Sequence, residues 1–305
     1  MERSFIEYLQ RNEPADDRVP VGIGDDAAVI RLGGDCVAAV DMITDEVDFI
    51  LAECDPQRIG RKALAVNLSD MAAMAARPVA ALVSLLLPRE GGGVLAKQLY
   101  AGMAPLARQY STSIAGGDTN SWNGKLAISV TVLGEPTPCG LLRRSGAQQG
   151  DHVLVTGDLG GSILGKHFDF MPRVEEAITL RRDYQASAAA DISDGLLIDL
   201  DRLTRASSLG VELDLEAIPI SAAARELAAR VGPSTALDHA LADGEDFELI
   251  FTAPPRAAEQ LLRDQPLGVP VTRIGVMIAR PGLWRRTPHG REALEPRGFE
   301  HRFTE

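Results

Sequence analysis

Apolar positions along this chain follow two spacings, and the switching between them predicts helices alternating with strands. Residues 4–10 have the spacing of a short amphipathic helix. The stretch ALAVNLSDMAAMA, residues 63–75, is apolar almost all round and reads as a packed helix. Asp55-Pro56, a cap residue followed by proline, marks its start, and Arg77-Pro78 marks its end. Asn67, Ser69 and Asp70 interrupt the apolar run. On this reading Asp70 lies well inside the helix and shares a face with Asn67. A buried carboxylate is costly unless a hydrogen-bonded cluster or a cation accompanies it.

Elsewhere the N-terminal half reads as a strand-like run over 22–30 and a strand over 37–40 closing on Asp41. A fully buried strand is expected over 79–87, then a helix over 94–110 with Pro105 as its kink point. A glycine-and-acid turn over 114–120 and an alternating strand over 126–133 follow. Gly134-Glu135-Pro136-Thr137-Pro138-Cys139-Gly140 has the composition of a linker. Beyond it, strands are expected over 152–155, 211–215 and 271–278, with a further one after the acidic turn at 243–248. Helices are expected from 194 through 203 and over 221–231 and 255–263, and a polar tail over 284–303. Strand–helix alternation in both halves indicates two α/β or α+β domains, 1–138 and 139–305.

The 305 residues suffice for two domains, and 45% hydrophobic with 24% charged residues is ordinary for a globular chain. The net charge of −12 argues against nucleic acid or an anionic membrane as the main partner. An anionic ligand would then require a mediating cation. Cys36, Cys54 and Cys139 are scattered, which supports neither a zinc site nor a disulfide framework and fits a reducing cytoplasm. The start has no signal-peptide pattern, and the apolar run over 79–87 is far short of a membrane span.

The candidate chemistry is carboxylate. Asp25 and Asp26 follow two glycines, Asp41 closes a strand, Asp118 follows Gly116-Gly117, and Asp191 and Asp194 open a helix with Ser193 between them. Each alone has a bland reading as a turn, a solvated face or a cap. Together they recur at element ends beside glycine. GGSILGKH, residues 160–167, satisfies the GxxxxGK of a phosphate loop, but His167 stands where a Ser or Thr should meet magnesium. A glycine-rich turn is expected there instead. No histidine or cysteine arrangement suits a nucleophile.

Taken in order, GIGDDAAVI, KALAVNLSDMAAMAARP, GGDT, RSGAQQGD, DISDGLLIDL and GEDFELIF resemble the thiamine-monophosphate kinases. These belong to the family that includes aminoimidazole ribonucleotide synthetase, selenophosphate synthetase and the hydrogenase maturation dehydratase. The resemblance covers residues 22–299. It implies the two-domain aminoimidazole ribonucleotide synthetase-like fold, an α/β (α+β) architecture. An N-terminal mixed sheet with helices would bind ATP and metal and pair into a homodimer. A C-terminal α+β domain would complete the active-site cleft. The implied reaction is direct in-line transfer from ATP to thiamine monophosphate with several Mg2+ ions and no catalytic side-chain nucleophile. The implied metal ligands are Asp26, Asp41, Asp70, Asp118, Asp191 and Asp194. Gly117, Asp118, Arg144 and Ser193 would contact ATP, and Glu245 and Phe299 would hold substrate.

Three departures from the family pattern stand out. Ala39 and Val40 replace a usual Ser or Thr, Asp48 replaces a histidine on the substrate side, and the stretch 162–172 is short. The competing expectations are an aminoimidazole ribonucleotide synthetase-like ligase and a non-catalytic nucleotide-binding regulatory protein. Selenophosphate synthetase is disfavoured because residues 1–30 contain neither Cys nor Lys.

Overall fold

The structure is a computed structural model that describes residues 2–230 and 232–300. The chain divides into two compact units. The first runs through Met71 and resumes over Ala76–Thr137; the second takes Ala72–Ala75 and the chain from Pro138 onward.

In the first unit α1 (Glu2–Asn12) precedes β1 (Val37–Thr44), α2 (Pro56–Ala73), β2 (Ala76–Pro88), α3 (Gly92–Gln109), β3 (Ser113–Trp122) and β4 (Ala127–Pro136). The strands form one mixed sheet in the order β1-β4-β2-β3. Only β2 and β3, joined through α3, are parallel. Ile43, Leu85, Ile128, Val130 and Val132 are buried on one face. Helices α2 and α3 meet where Gly60 faces the Leu99 carbonyl and Gly102 faces that of Gln57. A Cβ at either glycine would lie 2.0 or 1.8 Å from those oxygens, so the contact admits no side chain.

Several element boundaries differ from the sequence reading. Asp55 caps α2 as expected, accepting from Gln57 N at 2.9 Å. The helix, however, ends at Ala73, because Ala75 turns the chain at φ 50° and Ala76 already pairs with Pro136 of β4. Asp70 therefore sits in the last turn, not the middle. β1 runs on to Thr44, so Asp41 lies within it. Asp118 lies inside β3 and not in a turn. Gly134-Glu135-Pro136, whose composition reads as linker, completes β4, with Glu135 accepting from Arg18 Nη1 and Gly33 N. Residues 22–30 form isolated bridges, Val21 with Val29 and Ile23 with Asp25, and no ladder. β2 is not wholly buried: Ser84 is exposed, and on the edge strand β1 Val40 and Met42 are 64% and 63% exposed.

The second unit contains β5 (His152–Thr156), α4 (Lys166–Asp169), α5 (Val174–Asp183), β6 (Ala188–Asp191), α6 (Leu196–Ala206), β7 (Gly210–Leu213), α7 (Ala222–Arg230) and α8 (Ala236–Ala242). It ends with β8 (Leu249–Ala253), α9 (Pro255–Asp264), β9 (Val271–Ile278), β10 (Gly282–Thr287) and β11 (Gly290–Leu294). Seven strands form one sheet in the order β11-β10-β7-β9-β5-β8-β6. Its core gathers Val153, Val155, Leu197, Leu200, Ile250 and Ile274. The expected polar tail contains a hairpin, β10–β11, whose alternation is hidden because both faces carry polar residues. Buried Glu212 on β7 anchors it, paired with Arg286 and Arg291. Val231, the expected end of a helix, and residues 301–303 of the expected tail lie outside the described residues. Among the described residues no helix is long and apolar enough to cross a membrane.

Candidate functional site

Each unit carries part of the predicted acidic set. In the first unit α2 is tied to β1 by Asn67, which is fully buried. Its Oδ1 accepts from Asp41 N at 3.1 Å and its Nδ2 donates to Ala63 O at 3.1 Å. Asn67 is thus spent on backbone groups and fixes Asp41 against the helix that bears Asp70. Both of those carboxylates belong to half-buried residues. Asp26 is exposed, and the neighbouring Asp25 carboxylate accepts its backbone N–H at 2.8 Å. Asp118 is exposed, with Oδ1 accepting from Thr119 N at 2.9 Å.

The register carries Asp41 through Val130 and Val83 to Gly117. Asp41 and Asp118 therefore occupy opposite edges of one sheet, three strand spacings or roughly 14 Å apart. Asp48 serves its own turn: Oδ2 accepts from Thr44 N at 2.7 Å, and its carbonyl accepts from the fully buried Lys62 ammonium at 2.9 Å. Within either unit, no group of three or more His, Cys, Asp or Glu among the described residues is arranged to hold a metal ion by itself.

In the second unit, four predicted positions come together. Asp191 ends β6, and the chain turns through Ser193, Asp194 and Gly195 into α6. Glu245 N donates to Ser193 O at 2.7 Å, and Phe299 N donates to Asp194 O at 2.8 Å. Gly244, Glu245 and Phe247 all have positive φ, at 77°, 53° and 49°. Such backbone persists where surrounding contacts hold it, and is common at functional sites. The Asp194 carboxylate pairs with Arg202. Beneath the turn lies Asp199, 2% exposed, whose Oδ2 accepts from the amides of Ser193, Asp194 and Gly195 at 3.1, 2.9 and 3.1 Å. Burial and the Asp191 carboxylate push Asp199 up to about 7, against the pull of the Asp194 amide and Arg202.

The second wall is the glycine-rich turn. Both oxygens of buried Asp246 accept from Gly160 N, at 2.9 and 3.0 Å, and Asp243 Oδ2 accepts from Gly161 N at 3.0 Å. Lys166 Nζ sits 3.0 Å from Glu248 Oε1 and donates to Asp158 O at 2.8 Å. The amides and the lysine that a phosphate loop would offer are thus occupied by the protein's own oxygens. A Cβ at Gly160 would lie 2.5 Å from Ala240 N, so the glycine serves close packing against α8. His167, buried, places Nδ1 3.2 Å from Glu245 Oε2. The short stretch 162–172 therefore supports the predicted substrate residue from below.

Arg144 is not part of this gathering. Its guanidinium is exposed, and its carbonyl accepts from Ser207 Oγ at 2.7 Å, just past the end of α6. Ser193 precedes the other end of that helix, some 16 Å away along eleven residues. Sequence reading missed Asp199, Arg202, Lys62, Lys166, Arg173, Asp246 and Glu248. For Asp199 a signal existed: it lies three residues after Leu196 and four before Leu203, on the apolar stripe of α6.

Residues 24–135 match the family described as AIR synthase related protein, N-terminal domain, and residues 141–284 its C-terminal domain. The chain is similar to the thiamine-monophosphate kinase of Rhodopirellula baltica, 46% identical over all of this chain and 98% of the relative. A crystal structure of thiamine-monophosphate kinase from Stenotrophomonas maltophilia K279a is similar at 34% identity and TM-score 0.79, covering 92% of this chain and 94% of that one. AaThiL complexed with AMPPCP and TMP is similar at 26% identity and TM-score 0.77, covering 98% of this chain and 96% of that one.

Proposed function

The chain belongs to the AIR synthase related family and groups with its thiamine-monophosphate kinases, and on that premise we propose that it transfers the γ-phosphoryl group of ATP to thiamine monophosphate. The product is thiamine diphosphate. The observation that carries the reading is the meeting of Ser193, Asp194, Glu245 and Phe299 in one turn system, supported by the similarity to a kinase solved with AMPPCP and TMP. In this reading 1–138 is the ATP- and metal-binding domain and the one that self-associates, and 139–305 completes the active site with further nucleotide and cation contacts. Gly117, Asp118, Arg144 and Ser193 face the nucleotide in this reading, and Asp48, Glu245 and Phe299 the thiamine side.

The donor set suits Mg2+: six aspartates, with no histidine or cysteine among them. Asp26, Asp41, Asp70, Asp118, Asp191 and Asp194 would hold it, and the opposite-edge placement of Asp41 and Asp118 asks for more than one ion. Magnesium ordinarily takes one or two carboxylates and completes its shell with phosphate oxygens and water, so it needs no closed protein cluster. When bound, Mg2+ neutralises the two anionic phosphate groups that would otherwise repel each other. The protein's own contribution is placement. Arg202 holds one oxygen of Asp194, leaving the other available, and His167 orients Glu245. No side chain is asked to accept the phosphoryl group, so transfer is direct.

Phosphorus NMR of the full chain with ATP, Mg2+ and thiamine monophosphate is expected to show thiamine diphosphate and ADP rising together. ADP with free phosphate and no diphosphate ester would overturn the substrate assignment.

We further propose that the first unit pairs with a second copy through the open face of its sheet. Val40 and Met42 are large, apolar and well over half exposed there. Aspartate at both positions is expected to weaken self-association by roughly a hundredfold or more, read by light scattering across a dilution series. A wild-type chain that is monomeric throughout would end this proposal. We also propose a cytoplasmic location, on the similarity to bacterial thiamine-monophosphate kinases.

A further inference from the structure

One buried carboxylate lies outside every role assigned above. Asp199 Oδ2 gathers three successive amides, and its Oδ1 accepts from Arg202 Nη1 at 2.7 Å. The same Arg202 nitrogen reaches the Asp194 carboxylate. Consecutive amides aimed at one point where a strand turns into a helix make a concavity that commonly takes a phosphate. Here the chain supplies its own carboxyl oxygen instead.

Two consequences follow. The amides of Ser193, Asp194 and Gly195 are already satisfied, so the turn has no backbone donors left for an incoming phosphate and must address it through side chains. Asp194 is also held at three points: its amide by Asp199, its carbonyl by Phe299 N and its carboxylate by Arg202. A leucine would suit the apolar stripe that Asp199 interrupts, and burying a carboxylate there is tolerable only because every bond it can make in this turn is made.

We propose that Asp199 is a positioning residue, a built-in carboxyl group that locks the Ser193–Gly195 turn and, through Arg202, aims the Asp194 carboxylate. The purpose of that aim rests on the kinase reading; the locking does not. It predicts a division of labour. Asp199 governs the turn's backbone directly, while Arg202 governs the Asp194 side chain and reaches the backbone only through its bond to Asp199 Oδ1.

The test is amide hydrogen exchange on the full-length wild type and on Asp199→Asn, Asp199→Ala and Arg202→Met, without nucleotide, followed by steady-state kinetics. In Asp199→Ala the amides of 193–195 are expected to exchange roughly tenfold faster or more, while those of 200–203 keep their protection. Asp199→Asn, which retains a neutral acceptor, should recover part of that protection. Arg202→Met should raise that exchange far less than Asp199→Ala does and lower kcat by roughly tenfold, with little change in KM. Unchanged exchange at 193–195 in Asp199→Ala would overturn the proposal. So would a uniform loss of protection along all of α6, which is the mark of mere helix stabilisation. The exchange needs no substrate, so a wild type that makes no thiamine diphosphate would end the kinase reading without touching this result.

Discussion

Replacing Asp70 by asparagine is expected to lower kcat roughly a thousandfold while changing thermal stability far less. The stability half of this expectation comes from the fold. Asp70 lies in the last turn of α2, at the negative end of the helix dipole. A carboxylate there is opposed by the helix it belongs to, which limits what its neutralisation can cost. The activity half comes from the kinase proposal. An amide keeps the shape but not the charge, and loses most of its affinity for a hard cation. Electrostatic support worth about 4 kcal/mol corresponds to three decades in rate at about 1.4 kcal/mol each. The phosphorus NMR rate and a calorimetric Tm measure the two halves separately. Activity within tenfold of wild type would remove Asp70 from the metal set. A large fall in Tm would recast it as a structural residue.

Asp70 also shows where the sequence was legible and where it was not. The apolar run and the Asp55-Pro56 start located α2 at once, because capping and periodicity are local. The end was misplaced because it is set by Ala76 pairing with Pro136, sixty residues away, which no local pattern records. The same cause explains Gly134-Glu135-Pro136: linker-like composition yields to a ladder that both β1 and β2 impose. The acidic motifs were visible as glycine–acid pairs, and GEDFELIF and DISDGLLIDL were recognisable as blocks. What could not be read was which acids in those blocks face outward. Asp194 and Glu245 do, whereas Asp199, Asp246 and Glu248 turn inward and hold the turns that present them. The GGSILGKH segment shows the same division, since its lysine and amides are claimed by Asp243, Asp246 and Glu248, residues far along the chain.

That inward set gives the largest stability effect expected here. Glu248 is 2% exposed and is gripped by Arg173 at 2.8 Å from each oxygen, by Lys166 at 3.0 Å and by Thr156 Oγ1 at 2.7 Å. Burial alone would raise its carboxyl; Arg173, Lys166 and Thr156 outweigh that and hold it below its ordinary value of 4.5. Glutamine at 248 keeps the volume but turns an amide toward donors and leaves Arg173, itself largely buried, with only Glu176 at 3.5 Å to offset its charge. Breaking such a buried pair costs about 3 kcal/mol, which in a unit of this size lowers Tm by roughly 10 °C. The lower end of the usual range applies because Lys166 keeps a quarter of its side chain exposed and can turn toward water. Since the folded carboxyl titrates below 4.5, its contribution is complete above that pH and drains away as pH falls through the folded value. The gap between wild type and Glu248→Gln is therefore expected to be constant from about pH 6 to 8 and to close in acid, as read by urea unfolding across that range. The exposed pair Arg285–Glu292 provides the contrast, because cutting it leaves both groups in water. A Glu248→Gln cost no larger than that of Glu292→Gln, or a gap that does not close in acid, would mean that the cation grip on Glu248 is not what holds the glycine-rich turn against β8.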